Sequence, residues 1–271
     1  MAIAAYRMLI ASLVLLPYGL ARSRGELRSL IREECRWVLP AGGFLALHFA
    51  LWIASLSRTT VASSVVLVTA SPVFVAVASY VLFKERLRRE TFMGIAVCAA
   101  GALLIGYGGW SAGGHALSGN VLALLAALAM SAYLLIGRRV RRRASLLAYS
   151  TVVFSTAAVF LLVAVCALRI PLSGYSPMTY VMLLLLALVP QLLGHMSLNW
   201  ALRFLPATMV TLAILGEPVG ASALAFIVLG ELPTVLEVLG ALLIFLGIGI
   251  AFARGGLVLG RTGPSSGRDL P

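Results

Sequence analysis

Nine long apolar blocks dominate the chain, at about residues 1–20, 37–56, 61–83, 91–108, 119–137, 146–168, 178–202, 207–229 and 233–253, with short charged loops between them. Each is close to the roughly 20 residues that an α-helix needs to cross a bilayer core of about 30 Å. In hydrocarbon every backbone N–H and C=O must be satisfied within the protein, so apolar runs of this length specify helices. With 61% hydrophobic and only 11% charged residues, the chain lacks the polar surface that a soluble domain of 271 residues requires. The expected fold class is all-α, a polytopic membrane bundle. Residues 254–271, rich in Gly, Ser and Pro, read as a disordered tail.

A net charge of +12 invites a nucleic-acid partner, but the placement of the charges argues otherwise. Five arginines fill 22–36, four basic residues fill 84–89, five arginines fill 138–143, and the rest of this group are Arg203, Arg254, Arg261 and Arg268. These belong to alternate connections, so 18 of the 21 basic residues fall on one side of the membrane. Arg7, Arg58 and Arg169 fall on the other. The excess of basic residues in cytoplasmic loops makes the crowded side, including the C-terminus, cytoplasmic. The expectation is a multi-pass protein of the inner (plasma) membrane whose arginines set topology and touch anionic lipid, with no nucleic acid involved. Cys35, Cys98 and Cys166 have no spacing that suggests a metal or redox pair, so neither metal nor cofactor is expected.

The chain also repeats itself. Residues 54–106 align without a gap to 200–252 at an offset of 146, matching Pro72 to Pro218, Glu85 to Glu231, Gly94 to Gly240 and Gly101 to Gly247. This divides the chain into a first repeat over 1–108 with four spans and a second over 119–253 with five. Ala5-Tyr6 at the start of the chain matches Ala148-Tyr149 at the start of the second span of the later repeat. A first helix is therefore expected upstream of Met1, giving ten spans in the complete form. An odd number of spans per unit inserts the two copies in opposite directions, the inverted-repeat plan of many secondary transporters. It puts Glu85 on the arginine-rich side and Glu231 on the other; capping or an ion pair is the simplest job for each. The glycines, seven apart in each pair, mark close-packed helix seams within the bundle or at a homodimer contact.

The first half reads HFALWIASLSRTTVASSVVLVTASPVF, then LFKERL; the second reads GHMSLNWALRFLPATMVTLAILGEPVGA, then VLGELPT. Each is followed by a glycine-spaced helix. In this combination the chain resembles the EamA-type transporters of the drug/metabolite transporter superfamily over roughly residues 1–253. The resemblance implies a ten-helix inverted-repeat bundle with a central cavity open to one side at a time. Members move small metabolites, often amino acids or drugs and often outward.

Glu217 is the one carboxylate deep in a span, and an ionised acid at mid-bilayer costs about 2.5–3.5 kcal/mol on insertion scales. It should face the bundle interior, as a proton-coupling or substrate-amine group or as a neutral acid bonded to a neighbouring helix. Gln191, His195 and Asn199 recur every four residues and form one polar stripe; His48, Trp52 and Ser55 form another. In lipid such stripes face protein or water. They read as the lining of a substrate cavity, with Trp200 adding an aromatic face and Ser71 holding the position that Glu217 holds in the other half. Interhelical hydrogen bonding is the competing reading. Pro72 and Pro218 each deprive a mid-span helix of one hydrogen bond and are expected to kink it.

No nucleophile, metal-protease or nucleotide-binding motif is present, and Glu217 has no second intramembrane acid to work with, so the chain is not expected to be an enzyme. The best-supported function is a secondary transporter for a small organic metabolite, an amino acid, amine or drug-like solute, with protons as a candidate coupling ion. The alternative is a non-transporting structural or regulatory membrane subunit derived from a truncated transporter.

Overall fold

The computed structural model describes residues 1–59, 61–83, 88–107, 116–224, 227 and 235–253. Glu85, Glu231 and the 254–271 tail lie outside the described residues. In chain order the helices are α1 Ala2–Arg22, α2 Arg24–Glu33, α3 Cys35–Leu56, α4 Val61–Val68, α5 Ser71–Phe83, α6 Arg89–Tyr107, α7 Ala116–Arg141 and α8 Leu146–Ala167. Then come α9 Pro177–Leu186, a π-helical segment Ala187–His195, α10 Met196–Ala201, α11 Ala207–Ile214, α12 Glu217–Leu224 and α13 Val235–Ala253. Among the described residues there is no strand. Among the described residues six helical stretches are long and apolar enough to cross a membrane, with Ser63–Val81 and Pro177–Ala201 each counted as one, and Ala207–Gly220 and Val238–Ala251 are shorter apolar ones.

Local chemistry sets several helix starts. Ser145 caps α8 by accepting from the Ala148 amide at 3.2 Å. Ser176 caps α9 in the same way from Thr179, with Pro177 at the first position, where its missing N–H costs nothing. Arg138, Arg139 and Arg141 crowd the last turn of α7, at the negative end of its dipole. The 22–36 connection, expected as a loop, forms the amphipathic helix α2, which buries Leu27 and Leu30. Its Glu26 carboxylate accepts from the Ser145 amide at 2.5 Å and from its hydroxyl at 2.6 Å, tying the first repeat's connection to the second's.

Two helices that read as continuous spans are broken. The first stops at Val68 and resumes at Ser71, and the second stops at Ile214 and resumes at Glu217. These breaks are equivalent in the repeat. Short i→i−3 bonds tighten each one, Ala70 to Leu67 at 3.2 Å and Leu215 to Leu212 at 3.2 Å. Pro72 and Pro218 therefore sit one residue inside a new helix rather than in the interior of a kinked one.

The glycines form a seam inside the bundle. A Cβ on Gly94 would lie 2.6 Å from the Gly247 carbonyl oxygen, and one on Gly101 would lie 2.6 Å from that of Gly240. The low-numbered glycine of α6 meets the high-numbered one of α13, so the two helices cross antiparallel. They hold equivalent positions in the repeat, so this helix runs one way in the first copy and the opposite way in the second. The seam joins the two repeats within one chain. Nearby, the Cys98 thiol donates to the Ile244 carbonyl at 3.4 Å, and these residues are also 146 apart.

Two hydrophobic clusters hold the fold together. One joins α1, α3, α7 and α8 through Met8, Leu45, Phe49, Tyr133, Phe154 and Leu161. The other joins α4, α6, α11 and α13 through Val66, Ile95, Cys98, Leu212 and Ile244. Each draws helices from both repeats, so the copies interlock rather than stand side by side.

Candidate functional site

Arg7 lies at the centre of the most polar buried group. On α1 the buried face runs through Ala4, Arg7, Met8, Ala11 and Leu15. Arg7 shares that face and is only 6% exposed. Its expected place on the far side of the membrane is therefore corrected: α1 packs against α8 and the π-helical segment and carries the guanidinium into the bundle. Arg7 Nε donates to Gln191 Oε1 at 2.9 Å, and Nη2 is 3.3 Å from His195 Nδ1. The face of the guanidinium covers the Phe49 ring at 4.3 Å, a cation–π contact in a desolvated setting.

His195 Nδ1 faces two groups at once, the Arg7 Nη2 donor and the Pro190 carbonyl at 3.2 Å. The first contact favours the ring proton on Nε2 and the second favours it on Nδ1. Gln191 and His195 come from the π-helical segment, which contains Pro190. Such wide turns interrupt the regular hydrogen-bond ladder and occur often at functional sites.

Glu217 approaches from the second repeat. It opens α12 directly after the break, so its carboxylate sits where free helix N–H groups favour negative charge. Its side chain is exposed. Arg7 and Glu217 interact electrostatically without meeting in a contact ion pair.

The remaining candidates separate into groups. His48 stacks on Trp52, with centroids 5.9 Å apart, and packs edge-on to Phe49 at 4.9 Å. His48 Nδ1 lies 3.0 Å from the Ala126 carbonyl of α7. Phe49 in turn meets His195 at 5.2 Å, so His48, Trp52, Gln191, His195 and Arg7 form one continuous group. Ser55 is instead bonded to Ser64 at 2.5 Å and to the Trp52 carbonyl at 2.7 Å. Ser71 is fully buried at the start of α5; its carbonyl accepts from Ser131 at 3.2 Å, and its hydroxyl has no partner among the described residues.

Asn199 belongs to a different cluster from the other members of its stripe. Its Oδ1 accepts from the Tyr133 hydroxyl at 2.5 Å, its Nδ2 donates to Ser150 at 3.2 Å, and its carbonyl accepts from Arg141 Nε at 2.9 Å. Arg141, read from sequence as a loop residue, is 1% exposed and also bonds the Ala144 carbonyl. This cluster welds α7, α8 and α10 together at the arginine-rich end. Trp200, one residue on, points away; it is 56% exposed and packs against Phe204.

The sequence profile of the EamA-like transporter family matches residues 1–107 and again 117–253. This chain belongs to the EamA-like transporter family. Among its relatives is the uncharacterised transporter YdfC of Bacillus subtilis, 25% identical over 254 residues, which are 93% of this chain and 81% of YdfC. YetK from the same organism, also an uncharacterised transporter, is 30% identical over 152 residues, 54% of this chain and 46% of YetK. The EamA-like fold is shared with a protein of known crystal structure at a TM-score of 0.76, covering 93% of this chain and 86% of that one at 21% identity. In this EamA-like protein, then, the expected all-α polytopic fold and transporter family both hold, and the polar centre belongs to a member of a transport family.

Arg7 is the functional candidate that sequence reading missed. Its signal was available: it lies seven residues into an apolar span, and an intramembrane charge marks a functional site by default. Its nearness to the start of the chain made it read as a flanking charge.

Proposed function

We propose that this EamA-like protein is a secondary transporter that moves a small organic metabolite, an amino acid, amine or drug-like solute, outward across the plasma membrane by alternating access. The observation that carries the reading is the meeting of Arg7, Phe49 and His195 at the join of the two repeats. A buried charge there is costly and has no purely structural need, since an apolar side chain would pack α1 at least as well. The equivalent breaks before Ser71 and Glu217 supply half-helices able to rock about that centre. Protons are the coupling ion in this account, with Glu217 as the group that takes them up. The arginine-rich ends and the C-terminus face the cytoplasm.

The test is flux in proteoliposomes holding the full chain, against a labelled metabolite panel, with and without an imposed proton gradient. A solute moved by the wild type and accelerated by the gradient supports the proposal; a chain that moves none of the panel under either condition overturns it.

A further inference from the structure

Arg7 is held in place, but its bonding capacity is not exhausted. Phe49 holds one face of the guanidinium, and Gln191 and His195 take the edge formed by Nε and Nη2. No protein acceptor meets Nη1 among the described residues, so the edge formed by the two terminal nitrogens is open. One more donor belongs to the same bonded group: Gln191 Nε2, in the amide whose oxygen Arg7 holds, is buried with no partner among the described residues. His195 Nε2, on the side of the ring away from Arg7, is likewise without a partner there. Gln191 is 0% and His195 7% exposed. Trp52 Nε1, on the next ring of the aromatic group, is likewise buried without an acceptor.

Buried polar groups are nearly always satisfied, and those left open call for an explanation. Here the Gln191 N–H and the free guanidinium edge are both donors, and they belong to one bonded group that carries a fixed positive charge. Glu217 offsets that charge from a distance but does not reach it. A guanidinium edge is complemented by a compact anionic acceptor with two oxygens. A cation would be repelled, and a neutral amide would offer one oxygen and no charge.

We propose that Arg7 and Gln191 form a binding site for a carboxylate group on the transported solute, with His195 helping to hold Arg7 in place. The carboxylate oxygens lie against the Nη1/Nη2 edge of Arg7, and the Gln191 amide N–H donates to the same group. The aromatic wall of Phe49, His48 and Trp52 takes the apolar remainder. The inference rests on the reading of this centre as a substrate site.

The experiment compares matched solutes on the full chain in lipid nanodiscs: phenylacetate against phenylacetamide, benzoate against benzamide, and phenylalanine against phenylalaninamide, with chloride holding ionic strength constant. Thermal unfolding reports binding. At least one carboxylate should bind about tenfold or more tightly than its amide. Arg7→Gln should erase that preference. Should that variant not fold, Gln191→Glu decides. It keeps an oxygen for Arg7 Nε and the shape of the side chain, and it replaces the open N–H by an oxygen that repels the ligand. Its unliganded melting point should hold while carboxylate affinity falls about tenfold or more.

Amides that bind as well as acids, chloride that protects as well as any carboxylate, or a Gln191→Glu variant that binds within about twofold of wild type would each overturn the proposal. So would a panel in which no carboxylate binds. Flux of the same solutes through proteoliposomes separates the two readings. Transport without regard to the carboxylate defeats this inference alone, and transport of nothing defeats the transporter reading beneath it.

Discussion

Phe49 and His195 hold equivalent positions at the 146-residue offset of the repeat, and their rings touch with centroids 5.2 Å apart. Residues related by a pseudo-two-fold rotation can touch only where they lie near its axis. Cys98 and Ile244, in contact at 3.4 Å, mark a second point on the same axis. Arg7 bridges the first pair, lying over Phe49 and bonded toward His195. The chemically distinctive centre of the molecule thus sits where its two copies meet, and the glycine seam lies at the other marked point.

The seam makes a steric prediction. Gly94→Ala should destabilise the protein by about 1–3 kcal/mol, because the added methyl meets backbone that cannot swing aside. Gly249→Ala, also on α13 but with nothing within 4 Å, should be neutral or slightly stabilising through helix propensity. Melting of both variants in detergent checks the contrast; equal melting points would show that the seam is loose.

Asn199→Ala should cost about 1–3 kcal/mol by leaving the buried Tyr133 hydroxyl without its acceptor. It should leave solute affinity unchanged, because Asn199 bonds into the Arg141 cluster and not to Arg7. Trp200→Ala should alter neither property appreciably. Melting and solute binding measured on the same samples separate the two effects.

Glu217→Gln should insert and fold normally, since a neutral isostere is cheaper at mid-membrane than an ionised acid. Flux driven by a proton gradient should fall to background while counterflow without a gradient persists. Unchanged gradient-driven flux in this variant would remove Glu217 from the coupling step.

The large features were legible in the sequence because each has a one-dimensional signature. The spans show as apolar runs, the repeat as glycines and prolines at one offset, and the family as the two Pro–Glu patterns together. What was not legible depends on which way a side chain turns in three dimensions. Gln191, His195 and Asn199 do share a stripe, but a stripe does not say which neighbour each member meets at its own depth. The first two reach Arg7 and the third reaches Tyr133. The π-helical segment and the two-residue interruptions at Thr69–Ala70 and Leu215–Gly216 leave no periodic trace beyond a nearby proline. Arg7 and Arg141 were read as loop charges because arginine counts set topology, whereas folding buried both.

Gly220 offers the most direct test of the proposed water-filled path between the repeats. It lies three residues beyond Glu217 on α12, is exposed, and has nothing within 4 Å of an added Cβ. A single cysteine there, with Cys35 and Cys166 replaced by serine and the buried Cys98 retained, reports water access to the centre of the bundle. The account predicts that a small membrane-impermeant thiol reagent labels position 220 from one side of oriented vesicles, and that a transported solute changes the rate. Labelling only by a lipid-soluble reagent, at a rate no solute alters, would contradict it.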